Sequence, residues 1–207
     1  MLYLKKTPYN SYCVSADSNR ELARSFMRYQ EYYESPNEEF RGNIFTIGKY
    51  RSWYEKKYGY FSYETDWTGF NIHSYVLDPF KAGLFDPLIP EEQNLLALFI
   101  NAPDTRYYII GANDKHTLNH ELNHALYAYN KSYSSEIRKA FDTYIDKIQD
   151  VLQYLLDKGY CESLLYDELQ AYILDDDKTI ISKINYSPVV YAVHRAYSQF
   201  SRRHYEK

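Results

Sequence analysis

At 207 residues, with 45% hydrophobic and 25% charged residues, the chain has the size and composition of one soluble globular domain and excludes extensive disorder. A net charge of −4 excludes the basic field that nucleic acid demands, and Lys5-Lys6, Lys56-Lys57 and Arg202-Arg203 are isolated pairs rather than a stripe. Two cysteines, Cys13 and Cys161, exclude a disulfide framework and a cysteine-based metal site.

The residues before Asp17 read as an extended lead-in. Asp17 or Ser18 can cap a helix to about Ser35, with Leu22, Phe26, Tyr29 and Tyr33 at helical spacing. Asn43 to Ile47 reads as a strand stopped by Gly48, and Lys49 to Lys57 as a short helix closed by Gly59. Tyr60 to Leu77 holds strand material, alternating through Phe70, Ile72, Ser74 and Val76, with His73 facing away from them. Pro90-Glu91-Glu92 looks like a first helical turn, acids at the positive end of the dipole. After a break at Ala102-Pro103-Asp104, Tyr107 to Ile110 reads as a compact strand and Gly111 to Asp114 as a turn. The next helix starts at Thr117, or a turn earlier at Asp114. Lys131 to Ser134 is expected to connect it to one long helix ending near Lys158. A further helix spans about Glu162 to Leu174, and Asp175-Asp176-Asp177 behind it, unfavourable against the dipole, should turn into solvent. Pro188 opens a last helix through Val190, Val193, Tyr197 and Phe200. The unusual abundance of Tyr, 26 residues, suits half-buried faces and pocket walls.

Chemistry concentrates in His120-Glu121-Leu122-Asn123-His124. Histidines four apart stack on one helix face and can both aim a ring nitrogen at one ion about 2 Å away. Glu121 lies too far round the helix to be the natural third ligand but near enough to take a proton from water beside the ion. Leu118, Leu122, Ala125 and Tyr129 form an apolar stripe on a neighbouring face, which gives the helix a core side and a ligand side.

Through this motif the sequence resembles the zincin metallopeptidases, and the uncharged positions 122 and 123 and the small Ala125 agree. The three-histidine extension is absent, since Tyr127 and Asn130 stand where it needs Gly and His. The resemblance is therefore to the gluzincin-like branch, which implies a glutamate on a later helix as third ligand. Glu168 projects among Leu164, Leu165, Ala171 and Tyr172, an inward stripe where a carboxylate is costly unless paired or bound to metal. Asp167, with Ser163 and Gln170 beside it, looks more exposed, and it remains an alternative together with Glu162 and His194. The resemblance also implies an oxyanion-stabilising Tyr, His or Arg downstream, for which Tyr186, Tyr191, His194 and Arg195 are candidates, Tyr191 and His194 foremost. It further implies that the strand Tyr107–Ile110, if it is an edge, aligns the substrate by adding a peptide strand.

The expectation is thus a small α+β zincin-like domain over residues 1–207, with a short mixed sheet in residues 1–112 and a mainly helical metal-binding part in 113–207. One zinc ion would be held by His120, His124 and Glu168 for hydrolysis of a peptide or protein substrate, with Glu121 as base and no covalent intermediate. A metal-dependent amidohydrolase on a non-peptide substrate and a catalytically silent binding protein are the rivals. No apolar run nears the roughly 18–20 residues of a membrane span. Met1 to Lys6 lacks a leader's features, so a cytoplasmic location is expected, with delivery into another cell as the alternative.

Overall fold

The computed structural model describes residues 1–102, 105–184 and 186–201; the break read at Pro103-Asp104 and the Arg202-Arg203 pair lie outside them. The lead-in is not one extended segment but a hairpin. Its strands β1 (Leu2–Thr7) and β2 (Ser11–Ala16) pair antiparallel from Leu2 opposite Ala16 to Thr7 opposite Ser11. The turn uses left-handed backbone at Tyr9 (φ 60°) and Asn10 (φ 55°), the first an unusual residue for it, so no glycine marks it in the sequence. Asn10 Nδ2 donates to the Arg106 carbonyl at 2.5 Å and pins the turn.

With β3 (Gly69–His73) and β4 (Tyr108–Ala112) the hairpin completes a mixed four-stranded sheet in the order β1-β2-β4-β3, the expected α+β arrangement. β4 runs parallel to β2 and antiparallel to β3. Both of its edges are thereby occupied, so it is not the edge strand a docking peptide requires.

The first helix, α1 (Asn19–Glu34), begins where Ser18 accepts a hydrogen bond from the Glu21 N–H at 3.1 Å. It packs Leu22, Phe26 and Tyr29 into one core with Val14, Phe70, Ile72 and Ile109 of the sheet. The Phe26 ring lies so close to β4 that a Cβ on Gly111 would meet it at 2.8 Å, so glycine is required there.

The predicted strand at 43–47 does not form. Thr46 accepts from the Lys49 N–H at 3.2 Å and caps α2 (Ile47–Tyr58), while Phe45 is buried against Phe40 and Phe85. Gly48 thus lies inside a helix, and Gly59 (φ 90°) ends it as expected. α3 (Tyr63–Asp66) precedes β3, which stops at His73. Ser74–Leu77 is a turn of 3-10 helix because Ser74 closes the ladder, its N–H donating to the Tyr107 carbonyl and its hydroxyl accepting from the Tyr107 N–H. α4 (Asp78–Lys81) and α5 (Pro90–Leu98) follow.

A buried ion pair ties α5 to α1. Arg28 Nε donates to Glu92 Oε1 at 2.6 Å and Nη2 to Oε2 at 2.5 Å, with Arg28 Nη1 also on the Phe85 carbonyl and Glu92 accepting from the Ile89 N–H.

The chain divides into two compact units, Met1–Leu118 and the residues from Asn119 onward, the division falling inside α6 (Lys115–Tyr129). In the second unit the supposed connector is helical. Asn130 accepts from the Tyr133 N–H at 3.0 Å and starts α7 (Lys131–Thr143) at once. The single long helix is two, α7 and α8 (Ile145–Asp157), broken at Tyr144, whose N–H bonds Ala140 and Phe141 carbonyls. The apolar spacing Ile137, Phe141, Ile148, Val151, Leu155 runs on through the break, which is why periodicity alone does not reveal it. α9 (Leu165–Leu174) follows a 3-10 turn at Glu162–Leu164. α10 (Lys178–Lys183) was not expected, and α11 (Ser187–Ser201) closes the described chain. Among the described residues no helix is long and apolar enough to cross a membrane.

Candidate metal centre

Asp114, not Thr117, starts the motif helix: its carboxylate accepts from the Thr117 N–H at 2.9 Å and from the Thr117 hydroxyl at 2.7 Å. Within α6 the deeply buried residues are Glu121, Asn123, His124, Ala125, Leu126 and Tyr127, whereas Leu118, Leu122 and Tyr129 of the predicted stripe are only half-buried. The polar motif therefore lies on the inner side of the helix, which a polar face tolerates only with partners.

Those partners come from α9 and its C-cap residue, Asp175. His120 Nδ1 is 2.5 Å from Asp175 Oδ2, and His124 Nδ1 is 2.9 Å from Asp167 Oδ1. The His120 and Tyr172 rings also pack at an angle, with centroids 5.2 Å apart, and the Tyr172 hydroxyl bonds that of Tyr160 at 2.8 Å. His124 Nε2 lies 3.8 Å from Glu168 Oε1. The earlier histidine thus meets the later residues of α9 and the later histidine the earlier ones, so the two helices run antiparallel past the site.

An ionised carboxylate only accepts, so with ionised acids at both Nδ1 atoms it is the imidazoles that donate there. That leaves the two Nε2 atoms facing each other at 3.1 Å. Two lone pairs at this distance repel, so in that tautomer a proton or a metal ion would relieve the pair. Nitrogens bound tetrahedrally to one zinc stand about 3.3 Å apart, so the spacing fits. One ligand atom each from His120, His124 and Glu168 falls within 4.8 Å of the others, and this buried group can hold a metal ion.

The charges agree. Burial pushes the His124 pKa down, but Asp167, Glu168 and Glu121 outweigh it and hold the imidazole well above its usual range. Burial, reinforced by Asp167 and Glu121 and partly offset by the two histidines, pushes the Glu168 carboxyl up to about 7. Glu121 is itself buried, and its charge acts on both.

The structure therefore brings together His120, His124 and Glu168, with Glu121 buried near enough for its charge to act on His124 and Glu168. Asp167 is present too, as the acid behind His124, and is less exposed than its neighbours suggested. Glu162 is exposed in the 3-10 turn, and His73 sits among the rings of Tyr33, Tyr75 and Tyr108. Tyr191 is 69% exposed and His194 Nε2 lies 3.7 Å from Asp176 Oδ1; the structure groups neither with the three ligands. Tyr186 packs on Tyr144, and Arg195 is exposed.

Asp175 is the residue that sequence reasoning missed. The acids behind α9 do not all turn into solvent: Asp175 holds His120, and Asp177 caps α10 by accepting from the Ile180 N–H at 2.9 Å. The signal was available in the spacing, because Glu168, Tyr172 and Asp175 fall four and three apart on one face of α9. No known protein family, curated protein or solved structure matches the chain.

Proposed function

We propose that the chain is a zinc-dependent metallopeptidase of gluzincin-like type, with His120, His124 and Glu168 as ligands and Glu121 as general base. The observation that carries this reading is the pair of Nε2 atoms 3.1 Å apart, each imidazole fixed from behind by a carboxylate and Glu168 beside them. Carboxylate-backed histidines orient for metals and become better donors to them. Zinc in such a set supplies Lewis acidity and brings the pKa of water toward neutrality.

Asp175 and Asp167 keep the rings turned so that both Nε2 atoms stay available. Glu121, buried and one residue after the first ligand, takes the proton of the attacking water and delivers it to the amine nitrogen as the C–N bond breaks. Water is the nucleophile, so the protein forms no covalent intermediate. The substrate class, a peptide or protein, follows from the motif's resemblance.

Two measurements test this. Protein purified without chelator should carry one zinc by elemental mass spectrometry, and a quenched-fluorescence peptide library should be cleaved in a chelator-sensitive way. Glu121→Gln should keep the zinc and lower turnover about 10²–10⁴-fold, the usual worth of a general base. Wild-type protein that takes up no zinc overturns the reading.

A further inference from the structure

The second ligand is steadied by more than one acid. The Asp167 oxygen that meets His124 Nδ1 at 2.9 Å also lies 3.2 Å from Gln170 Nε2. Gln170 is completely buried on α9, and its amide has one workable orientation. Tyr133 on α7 donates its hydroxyl proton to Gln170 Oε1 at 2.7 Å, while Nε2 donates to the Asn123 carbonyl at 3.3 Å and to Asp167. Turned over, the amide would set its oxygen against two acceptors, a peptide carbonyl and a carboxylate.

We propose that Gln170, oriented by Tyr133, is a positioning residue of the metal centre. It holds the Asp167 oxygen at His124 Nδ1, which leaves Nε2 on the side of His120 Nε2 and Glu168. The proposal rests on the zinc reading above. Asp167 is only partly buried, and the amide N–H holds its oxygen where it meets the imidazole. The bond from Nε2 to the Asn123 carbonyl ties the same amide to the backbone one residue before His124, so acid and ligand are located from one point. Within Asp167-Glu168-Leu169-Gln170, one turn of α9 carries the orienting acid, the third ligand and the amide that sets the acid.

Gln170→Glu keeps the shape and replaces the donating NH₂ with an acceptor. Tyr133→Phe removes only the hydroxyl and serves where the first variant folds poorly, with far-ultraviolet circular dichroism as the check. Competition against a zinc-chelating dye should show Gln170→Glu binding zinc about 10–100-fold more weakly, the usual effect of losing an outer-sphere partner. Tyr133→Phe should show a smaller loss in the same direction. In the cycle with Asp167→Asn the two losses should not add, because both act through one oxygen; additive losses would mean a merely structural role and overturn the proposal.

A second readout needs no metal. By proton NMR the His124 Nδ1–H of the metal-free wild type should be downfield and protected from exchange, and in either variant at least tenfold less so. Equal zinc affinity in wild type and both variants overturns the positioning role and leaves the zinc reading standing. A wild type that refuses zinc while the variants still lose the protected Nδ1–H overturns the zinc reading and leaves Gln170 as the residue that sets His124.

Discussion

Replacing Glu168 with Gln should make the metal-free protein more stable while destroying its zinc affinity. Burial in the first place, with Asp167 and Glu121 adding to it, lifts this carboxyl from 4.5 to about 7. The folded protein therefore binds the proton more tightly than the unfolded chain does. Stability is highest below the unfolded value, falls as pH rises from about 4.5 to about 7, and stays low above that window. At about 1.4 kcal/mol per pH unit, the gap between the two values amounts to about 3 kcal/mol at pH 8. Gln fills the same space and never ionises, so it escapes this cost. Urea denaturation of chelator-treated protein should find Glu168→Gln more stable than wild type by about 3 kcal/mol at pH 8 and by less than about 1 kcal/mol at pH 5. The same variant should lose most of its affinity for zinc in a dye competition, since an amide oxygen is a far weaker ligand than a carboxylate. A zinc-free variant less stable than wild type at pH 8, or one that still binds zinc as tightly, would refute the argument.

Asp175→Asn leaves all three ligands intact yet should weaken zinc binding about 10–100-fold, because His120 Nδ1 loses its charged acceptor; unchanged affinity in the dye assay would remove Asp175 from the centre. Arg28→Ala leaves Glu92 buried without its partner and should cost about 3–5 kcal/mol in chemical denaturation, with the Arg28→Met, Glu92→Met double variant recovering most of it. Gly111→Ala should cost about 1–3 kcal/mol through its collision with Phe26, and Phe26→Leu in the same background should relieve part of that loss.

What was legible in the sequence is what depends on a few neighbouring residues. The cap at Ser18 and the apolar spacing after it define α1 locally, and the His-Glu-x-x-His spacing does the same for two ligands. The failures lie where a competing local bond or a distant partner decides. Ile44 to Ile47 has strand composition, but the Thr46 side chain satisfies a helix N-terminus and the helix prevails. The hairpin at the start escaped notice because its turn uses Tyr and Asn in left-handed backbone rather than glycine. Tyr144 breaks a continuous apolar rhythm with backbone bonds that no residue type announces.

Asp175, Asp176 and Asp177 show how the same rule can be sound and still mislead. Three acids at a helix C-terminus oppose its dipole, so solvent is their expected destination. Only Asp176 goes there, its side chain 79% exposed; Asp175 is taken by His120 and Asp177 by the N-terminus of α10, where the dipole favours it. Asp176 adopts left-handed backbone (φ 54°) between them, which lets its neighbours diverge. The run reads correctly once it is asked which N–H donor could claim Asp175 and Asp177. Taken from Glu168 at helical spacing, Asp175 falls on the ligand face, opposite the one histidine that otherwise lacked an acid behind it. A search for the outer carboxylates of a two-histidine site should therefore follow the face of the third ligand along its helix and into the cap.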